Sequence, residues 1–318
     1  MRRLRESAWR VSLTLLGALA VSALYRGVVV TPIGCDAYLL YLPGLAFFPL
    51  LALQVPLAAA RSKLARLSLL AGLLLSFVWL MPFRFSFPKG GASARVLSLN
   101  IQAYHTDLPS ALERILEREP DFICFQEVWT KSQFQVIEDG LAAYELYGHP
   151  EDEEYLGTHF KYGTFVAVER SWKRRHLPSP RDTAMVRVEK DGRWLLVVSL
   201  HGRKSHDVSP LGVLRTAEMQ KQQAEELIGF ASRARAPVVV AGDFNAPDSG
   251  PAFKVLRRLD SAFSQAGRGF ALTFPASFPI VRIDHILASE SVFFSDFATF
   301  DAGSDHLGVV ADFGFDDQ

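Results

Sequence analysis

Cysteine and net charge are what this sequence has least of. Two cysteines, Cys35 and Cys124, occur among 318 residues, too few for a disulfide-stapled scaffold. Cys124 lies within Phe122-Ile123-Cys124-Phe125, an apolar run that reads as a buried strand. A free thiol packs there as a small hydrophobe, and no pairing with Cys35 is expected. Glycine (22) and proline (17) are too sparse for a collagen-like chain. The formal net charge is zero while 49% of residues are hydrophobic, which excludes intrinsic disorder. There is no internal repeat and no low-complexity tract.

The zero is the sum of two unlike parts. Residues 1–93 carry ten Lys/Arg against two Asp/Glu, a net +8, and residues 94–318 carry 24 against 32, a net −8. All eight histidines fall in the second part. Three apolar stretches fill the first: Val11 to about Val30, broken by Arg26; Ala37–Ala60, with Pro43, Pro49 and Pro56; and Leu67–Phe83, with Trp79 near its end. Each approaches the roughly 20 residues that a bilayer-spanning helix needs. Three in a row without a polar face argue against buried helices of a soluble core.

The expected organisation is a membrane domain of three transmembrane helices over residues 1–86, a short linker at Phe87–Ser93, and a soluble domain over residues 94–318. Short basic segments (Arg2, Arg3, Arg5 and Arg10; then Arg61, Lys63 and Arg66) put the N terminus in the cytoplasm and the soluble domain outside it. Two other readings stand beside this one. Residues 1–25 also fit a signal peptide cut near Ala18-Leu19-Ala20, which leaves the domain on the same side. A re-entrant second stretch would keep the domain in the cytoplasm, in keeping with Arg84 and Lys89 just past the third.

Within the soluble part, Arg95–Ile101 reads as a strand. Thr106 or Asp107 caps a helix with Leu108, Leu112, Ile115 and Leu116 on one face, and Pro120 follows its end. Phe122–Phe125, Gly163–Val168, Trp194–Leu200 and Pro237–Ala241 read as further strands, and Thr216–Ala231 as a helix. Ile280–Leu287 and Val309–Phe313 read as the last two strands. Several strands follow one another without an intervening helix, which favours an α/β architecture with mixed sheets.

Polar residues recur where these strands end. Asn100 ends the first, Gln126-Glu127 follow Phe125, and His201 follows Leu200. Asp243 and Asn245 follow the Val238–Ala241 run, Asp284 and His285 sit in Arg282-Ile283-Asp284-His285, and Asp305-His306 precede the last strand. Carboxylates and amides at the carboxyl ends of strands can share one crevice. Their oxygens suit a hard cation such as Mg²⁺ or Mn²⁺, which clamps phosphoryl oxygens. Histidine supplies acid/base function near neutral pH.

Taken singly, each position also has a plain structural reading. Asn100 can end a strand in a turn, Asp243 with Asn245 can form an Asx-turn, and Asp284 can pair with Arg282. His201 can be a satisfied histidine, and Asp305-His306 can cap a turn. Strand alternation turns His285 away from Asp284, so it is read as structural.

Together, the segments Leu99-Asn100-Ile101, Gln126-Glu127-Val128, Ser199-Leu200-His201, Gly242-Asp243-Phe244-Asn245, Arg282-Ile283-Asp284-His285 and Ser304-Asp305-His306 resemble the endonuclease/exonuclease/phosphatase superfamily, the DNase I-like fold. They occur in the family's order. The resemblance implies two packed mixed β-sheets flanked by helices in a four-layer sandwich, here preceded by the transmembrane bundle. It implies Glu127 as principal metal ligand with Asn100 beside it and Asp305 completing the site. Asp243 and Asn245 would orient the attacking water and the phosphate, or hold a second metal. His306 would be the general base, Asp284 its orienting partner, and His201 a donor to a phosphate oxygen. Tyr162 and Thr273 fall in segments similar to substrate-side loops of the family, whereas His105, His159 and His206 read as solvated.

The superfamily includes nucleases, phosphatases, sphingomyelinase-like lipases and lipid pyrophosphatases. A −8 domain lacks the basic footprint of a nucleic-acid binder, and anchoring spans would concentrate lipid substrates near the site. The arrangement is similar to VanJ-type membrane phosphoesterases. That likeness implies a lipid bilayer as partner and a lipid-linked phosphate, such as a polyprenyl pyrophosphate, as substrate. The alternatives are an exported nuclease or sphingomyelinase-like phosphodiesterase, and a non-catalytic membrane scaffold.

Overall fold

A computed structural model describes residues 83–87, 90–102, 106–149, 159–180, 182–204, 209–248 and 250–316. In chain order the elements are β1 (Arg84–Phe85), β2 (Ala94–Asn100), α1 (Leu108–Leu116), β3 (Phe122–Thr130), α2 (Lys131–Gly140) and β4 (Tyr144–His149). They continue with β5 (His159–Glu169), β6 (Lys173–His176), β7 (Thr183–Lys190), β8 (Arg193–His201), α3 (Pro210–Ala234) and β9 (Val238–Asp243). The remainder are α4 (Pro251–Leu256), β10 (Asp260–Ser261), α5 (Ala262–Ala266), β11 (Arg268–Gly269), β12 (Asp284–Ala288), β13 (Val292–Phe300) and β14 (Gly308–Phe315).

Two six-stranded sheets form, in the orders β13-β14-β2-β3-β5-β4 and β10-β12-β9-β8-β7-β6. Each contains one parallel pair, β2–β3 in the first and β8–β9 in the second, among antiparallel neighbours. A parallel pair needs a long crossover, and the chain supplies α1 for one and α3 for the other. Mixed sheets in an α/β fold are therefore what the order of elements predicts.

Period-two alternation divides each central strand between two cores. Val96 and Phe122 from the first sheet meet Val197, Val239 and Ile286 from the second in the core between the sheets. The intervening residues turn outward: Leu97, Leu99 and Ile123 pack with Leu112 and Ile115 of α1. Leu196, Val198 and Val240 pack with Leu227 and Ile228 of α3. A fully buried phenylalanine such as Phe122 or Phe313 contributes on the order of 1.5–3 kcal/mol of transfer free energy. Cys124 is free and buried in the inner core, and burial pushes its thiol up to about 12.

Several expectations need correction. In α1 the buried face is Leu108, Ala111, Leu112 and Ile115, while Leu116 is exposed. Asp107 is the N-cap residue but makes no side-chain cap bond. The strand expected at Ile280–Leu287 begins only at Asp284, because residues 274–281 turn back on themselves through a Phe274–Val281 bridge. A further strand, β13, lies between the two expected to be last. It is an edge strand whose buried residues, Val292, Phe294, Phe297 and Phe300, are separated by Ser295 and Asp296, so its apolar run is too short to reveal it.

The three expected spans lie outside the described residues except at Phe83. Among the described residues no helix is long and apolar enough to cross a membrane. The residues just past those spans are joined to the domain: Arg84 and Phe85 pair with Gly269 and Arg268, and Ser86 N–H donates to Gly267 O at 3.2 Å. Residues 84–86, assigned on sequence to the membrane domain, thus pair with residues 267–269 in a two-stranded ribbon beside the two large sheets.

Candidate active site

The inner track of each central strand ends in a polar residue at the same end of the sandwich. Val96-x-Ser98-x-Asn100 does so on β2, Val197-x-Ser199-x-His201 on β8, and Val239-x-Ala241-x-Asp243 on β9; Asp284 begins the antiparallel β12 beside them. A buried polar layer closes the inner core beneath this end. Gln126 Nε2 donates to Ser199 Oγ at 2.9 Å, and Ser199 Oγ donates to Phe125 O at 3.2 Å.

Glu127 would point away from this layer on a regular strand, because Gln126 already faces it. Between the pairs Phe125–Phe165 and Val128–Gly163, β3 advances three residues and β5 two. The extra residue makes a bulge, and Glu127 adopts φ 61°. That left-handed conformation costs of order 1–2 kcal/mol for a residue with a Cβ. In return Glu127 turns inward with Gln126, while Phe125 and Val128 both stay in the outer core. The sequence placed Glu127 just past a strand end; it lies on a bulge within a continuous strand.

Two groups of ligand-bearing atoms result. Glu127, His201 and Asp243 offer atoms all within 4.8 Å of one another, and so do Asp243, Asp284 and His306. His201 Nε2 lies 3.6 Å from Glu127 Oε1 and 3.8 Å from Asp243 Oδ2. It is buried without a hydrogen-bond partner. Burial lowers the His201 pKa, against the pull of Asp243 and Glu127.

On the other side, His306 Nδ1 is 3.0 Å from Asp284 Oδ2, and its Nε2 points toward Asp243 Oδ2 at 3.9 Å. Burial opposes the charge on His306, but Asp284, Asp243 and Asp305 outweigh it and raise its pKa to about 10. Burial raises Asp284, against the pull of His306, so the proton belongs to the pair. Asp243 is fully buried, which opposes ionisation. The positive charges of His306, His201 and Lys204 and the Asn245 backbone N–H nevertheless hold it below its ordinary value.

Asp243 forms the Asx-turn and also faces the crevice. Oδ1 accepts the Asn245 N–H at 2.7 Å in an Asx-turn, while Oδ2 faces both histidines. Asn245, itself at φ 48°, donates its side-chain amide to Gly202 O at 3.0 Å, and so ties together the chain segments that leave β8 and β9. Asn100 Nδ2 donates to Asp243 Oδ2 at 3.0 Å, and its Oδ1 accepts the Gln102 N–H at 2.9 Å. It therefore holds Asp243 across the two sheets and keeps one oxygen lone pair for an ion. Asp305 belongs to neither three-residue group. It is half-buried, with Oδ1 4.0 Å from His306 Nε2.

The alternative partner for Asp284 is ruled out, because Arg282 pairs instead with Asp248. His285 faces the outer core as alternation requires, with Nε2 3.0 Å from Ala246 O and its ring against Phe253. Thr273, placed on sequence in a substrate-side segment, lies inside the fold. It is fully buried, and its hydroxyl accepts the N–H groups of Ile283 at 3.1 Å and Asp284 at 3.3 Å, which fixes the backbone of the Asp284 strand. The backbone of Tyr162 lies on β5, and its side chain falls outside the described residues, as do the side chains of His105, His159 and His206.

Of two further neighbours of the site, Lys204 was not singled out from the sequence and Phe274 only as part of the segment around Thr273. Lys204 Nζ lies 3.7 Å from Glu127 Oε1. Its backbone follows Arg203, which is anchored to Asp182 and Glu226. A basic residue three positions past His201 was the available signal. Phe274 sets its ring 4.8 Å from that of His306, a contact that its place in a proline-rich turn does not announce.

The donor set fits a hard divalent cation. It combines the carboxylate oxygens of Glu127 and Asp243 with an amide oxygen of Asn100 that keeps a free lone pair, while the unpartnered His201 Nε2 beside them is left for a ligand oxygen. A paired-sheet sandwich with a carboxylate-rich crevice and an Asp–His pair at one end defines a phosphoester hydrolase of the DNase I-like class. The endonuclease/exonuclease/phosphatase family model matches residues 97–306, and the chain belongs to that family.

Solved structures agree on the fold. One is an endonuclease/exonuclease/phosphatase from Bacteroides vulgatus (20% identity, TM-score 0.57), covering 70% of this chain and 99% of the other. Another is a mannosyl-6-phosphatase from Bacteroides thetaiotaomicron (18% identity, TM-score 0.55), covering 70% and 100%. A third is D. rerio TDP2 complexed with a single-strand DNA product (16% identity, TM-score 0.52), covering 70% and 98%. Comparison with curated proteins finds no match.

Proposed function

We propose that this protein is a membrane-anchored phosphohydrolase that uses Mg²⁺ or Mn²⁺. Its substrate is a lipid-linked phosphate, such as a polyprenyl pyrophosphate, and its catalytic domain faces outside the cytoplasm. The observation that carries the hydrolytic part is the Asp284–His306 pair aimed at Asp243, with Glu127 and the unpartnered His201 Nε2 opposite.

In its neutral form, His306 accepts the proton of the attacking water on Nε2, while Asp284 holds the Nδ1–H and keeps the ring in the required tautomer. Asp243 and Asn245 orient the water and the phosphate. His201 Nε2 donates to a non-bridging oxygen as charge develops there. Glu127 and Asp243, with the Asn100 oxygen, would hold the divalent ion, whose chemistry is to neutralise phosphoryl oxygens in the transition state.

Lipid is favoured over nucleic acid by the −8 charge of residues 94–318 and by the three apolar stretches of residues 1–83. The test is phosphate release by the purified full-length chain, with Mg²⁺, from a panel of polyprenyl pyrophosphate, oligonucleotide and sphingomyelin. Faster turnover of the pyrophosphate supports the proposal. Faster cleavage of the oligonucleotide, or release of phosphocholine, replaces it with a phosphodiesterase. No turnover of any substrate, together with no metal binding, makes the chain a scaffold.

A further inference from the structure

Phe83, the last residue of the apolar sequence segment Leu67–Phe83, is already part of the catalytic domain. It sets its ring 5.2 Å from Phe270, and the next two residues are hydrogen-bonded to β11. Phe83, Phe85 and Phe87 recur at every second position, and the rings of Phe85 and Phe87 meet edge to face at 5.2 Å. They are 54%, 67% and 81% exposed. Arg84 and Arg268, both exposed, flank them on the β1–β11 ribbon. An exposed apolar strip of this kind marks an interaction surface.

A fourth exposed phenylalanine, Phe278 (75%), sits on the turn that follows. That turn is fastened to the catalytic end: the Phe274 ring lies against His306, and Ala276 N–H donates to Asp305 O at 2.6 Å. The ribbon is fastened there too, since Arg282 Nη1 donates to Phe270 O and Arg282 leads into Asp284. One stretch of chain, residues 267–281, therefore joins the aromatic ribbon to the catalytic histidine.

We propose that this aromatic-basic ribbon, with Phe278, docks on the lipid bilayer and holds the mouth of the active site at the membrane surface. The inference rests on the membrane-anchored reading above. If Leu67–Phe83 spans, Phe87 lies at most about 13 Å from the end of the span, since four residues reach no further. Phenylalanines with arginines beside them are the side chains that settle at a lipid–water boundary, the arginines against anionic headgroups. A docked domain meets a phosphate at headgroup level without lifting the lipid from the membrane.

The test uses the full chain carrying Cys35→Ser, reconstituted in vesicles containing anionic lipid, with a fluorescent label at Phe278→Cys or Phe85→Cys. The control is Trp194→Cys, at the opposite end of β8 from His201. Quenching by doxyl-labelled lipid at positions 278 and 85, but not at 194, is expected. Labels at 278 and 85 that remain as accessible to aqueous iodide as the control overturn the proposal. Labels shielded from iodide yet unquenched by lipid also overturn it, in favour of residues 1–82 or a second copy as the cover.

A double variant, Phe85→Ser with Phe278→Ser, separates docking from chemistry. We expect at least about tenfold slower turnover of the lipid-linked substrate in vesicles, with a water-soluble phosphoester unaffected. Lipid quenching without turnover of any lipid-linked phosphate leaves the docking surface standing and removes the proposed substrate. Turnover of the lipid by a chain whose labels are not quenched does the reverse.

Discussion

Asn100 on β2 donates a 3.0 Å hydrogen bond to Asp243 on β9, and so joins the two sheets at the floor of the active site. Asp243 is fully buried and ionised, so its partners decide whether it can stay charged. Asn100→Ala leaves a buried carboxylate oxygen short of a donor. A loss of about 1–3 kcal/mol in denaturant-unfolding stability is expected, together with weaker metal binding. A variant as stable as the parent would show that this bond contributes nothing.

Glu127 is bent inward by a bulge that serves no other visible purpose. Glu127→Gln keeps the shape and removes one charge from a crevice already holding Asp243 and Asp305. The metal-free protein should therefore be at least as stable as the parent. The rise in melting temperature that Mg²⁺ gives the parent should shrink sharply, with an affinity loss of at least about tenfold. An unchanged Mg²⁺ response would remove Glu127 from the metal site.

In the metal-free protein the proton on the Asp284–His306 pair is held up to about 10. A folded-state value above the ordinary histidine value stabilises the fold fully below pH about 6.5. That contribution is lost as pH rises toward 10. Metal-free protein should therefore lose stability over this window, and His306→Gln should lose less. Titration of the His306 ring by NMR should move to lower pH when Mg²⁺ is added, because the ion offsets the carboxylate charge that retains the proton. A titration midpoint indifferent to Mg²⁺ would separate His306 from the metal site.

Lys204 acts in the opposite direction to the ligands. Its ammonium sits 3.7 Å from Glu127 Oε1 and competes with a cation there. Lys204→Ala should bind Mg²⁺ a few-fold more tightly by calorimetry, a modest change because the side chain is partly exposed and screened. Weaker Mg²⁺ binding would mean that the lysine supports the site rather than opposing it.

The parts of this site that were legible in the sequence share one cause. Asn100, His201 and Asp243 each end an inward-facing alternating track, so a buried strand with a polar last residue announces a crevice. His285 was legible for the same reason, as the residue that alternation turns away. Glu127 was visible as a residue type, but its inward direction depends on a bulge set by pairing with β5, which local sequence does not encode. Thr273 looked like a loop residue facing substrate because nothing nearby reveals that its hydroxyl would cap the Asp284 strand. The attachment of Arg84–Ser86 was hidden by the apolar segment before it, since β1 is too short to have a pattern of its own.

The central claim is that a buried carboxylate and an oriented imidazole, brought together from distant strands, hydrolyse a phosphoester with a divalent ion. Its most direct test is Mg²⁺-dependent phosphate release by the full-length chain and by the separate variants Asp243→Ala and His306→Ala. Each variant should fall by about 10² or more, the scale of a lost general base, with its far-ultraviolet circular dichroism unchanged. Parental rates in both variants would contradict the account.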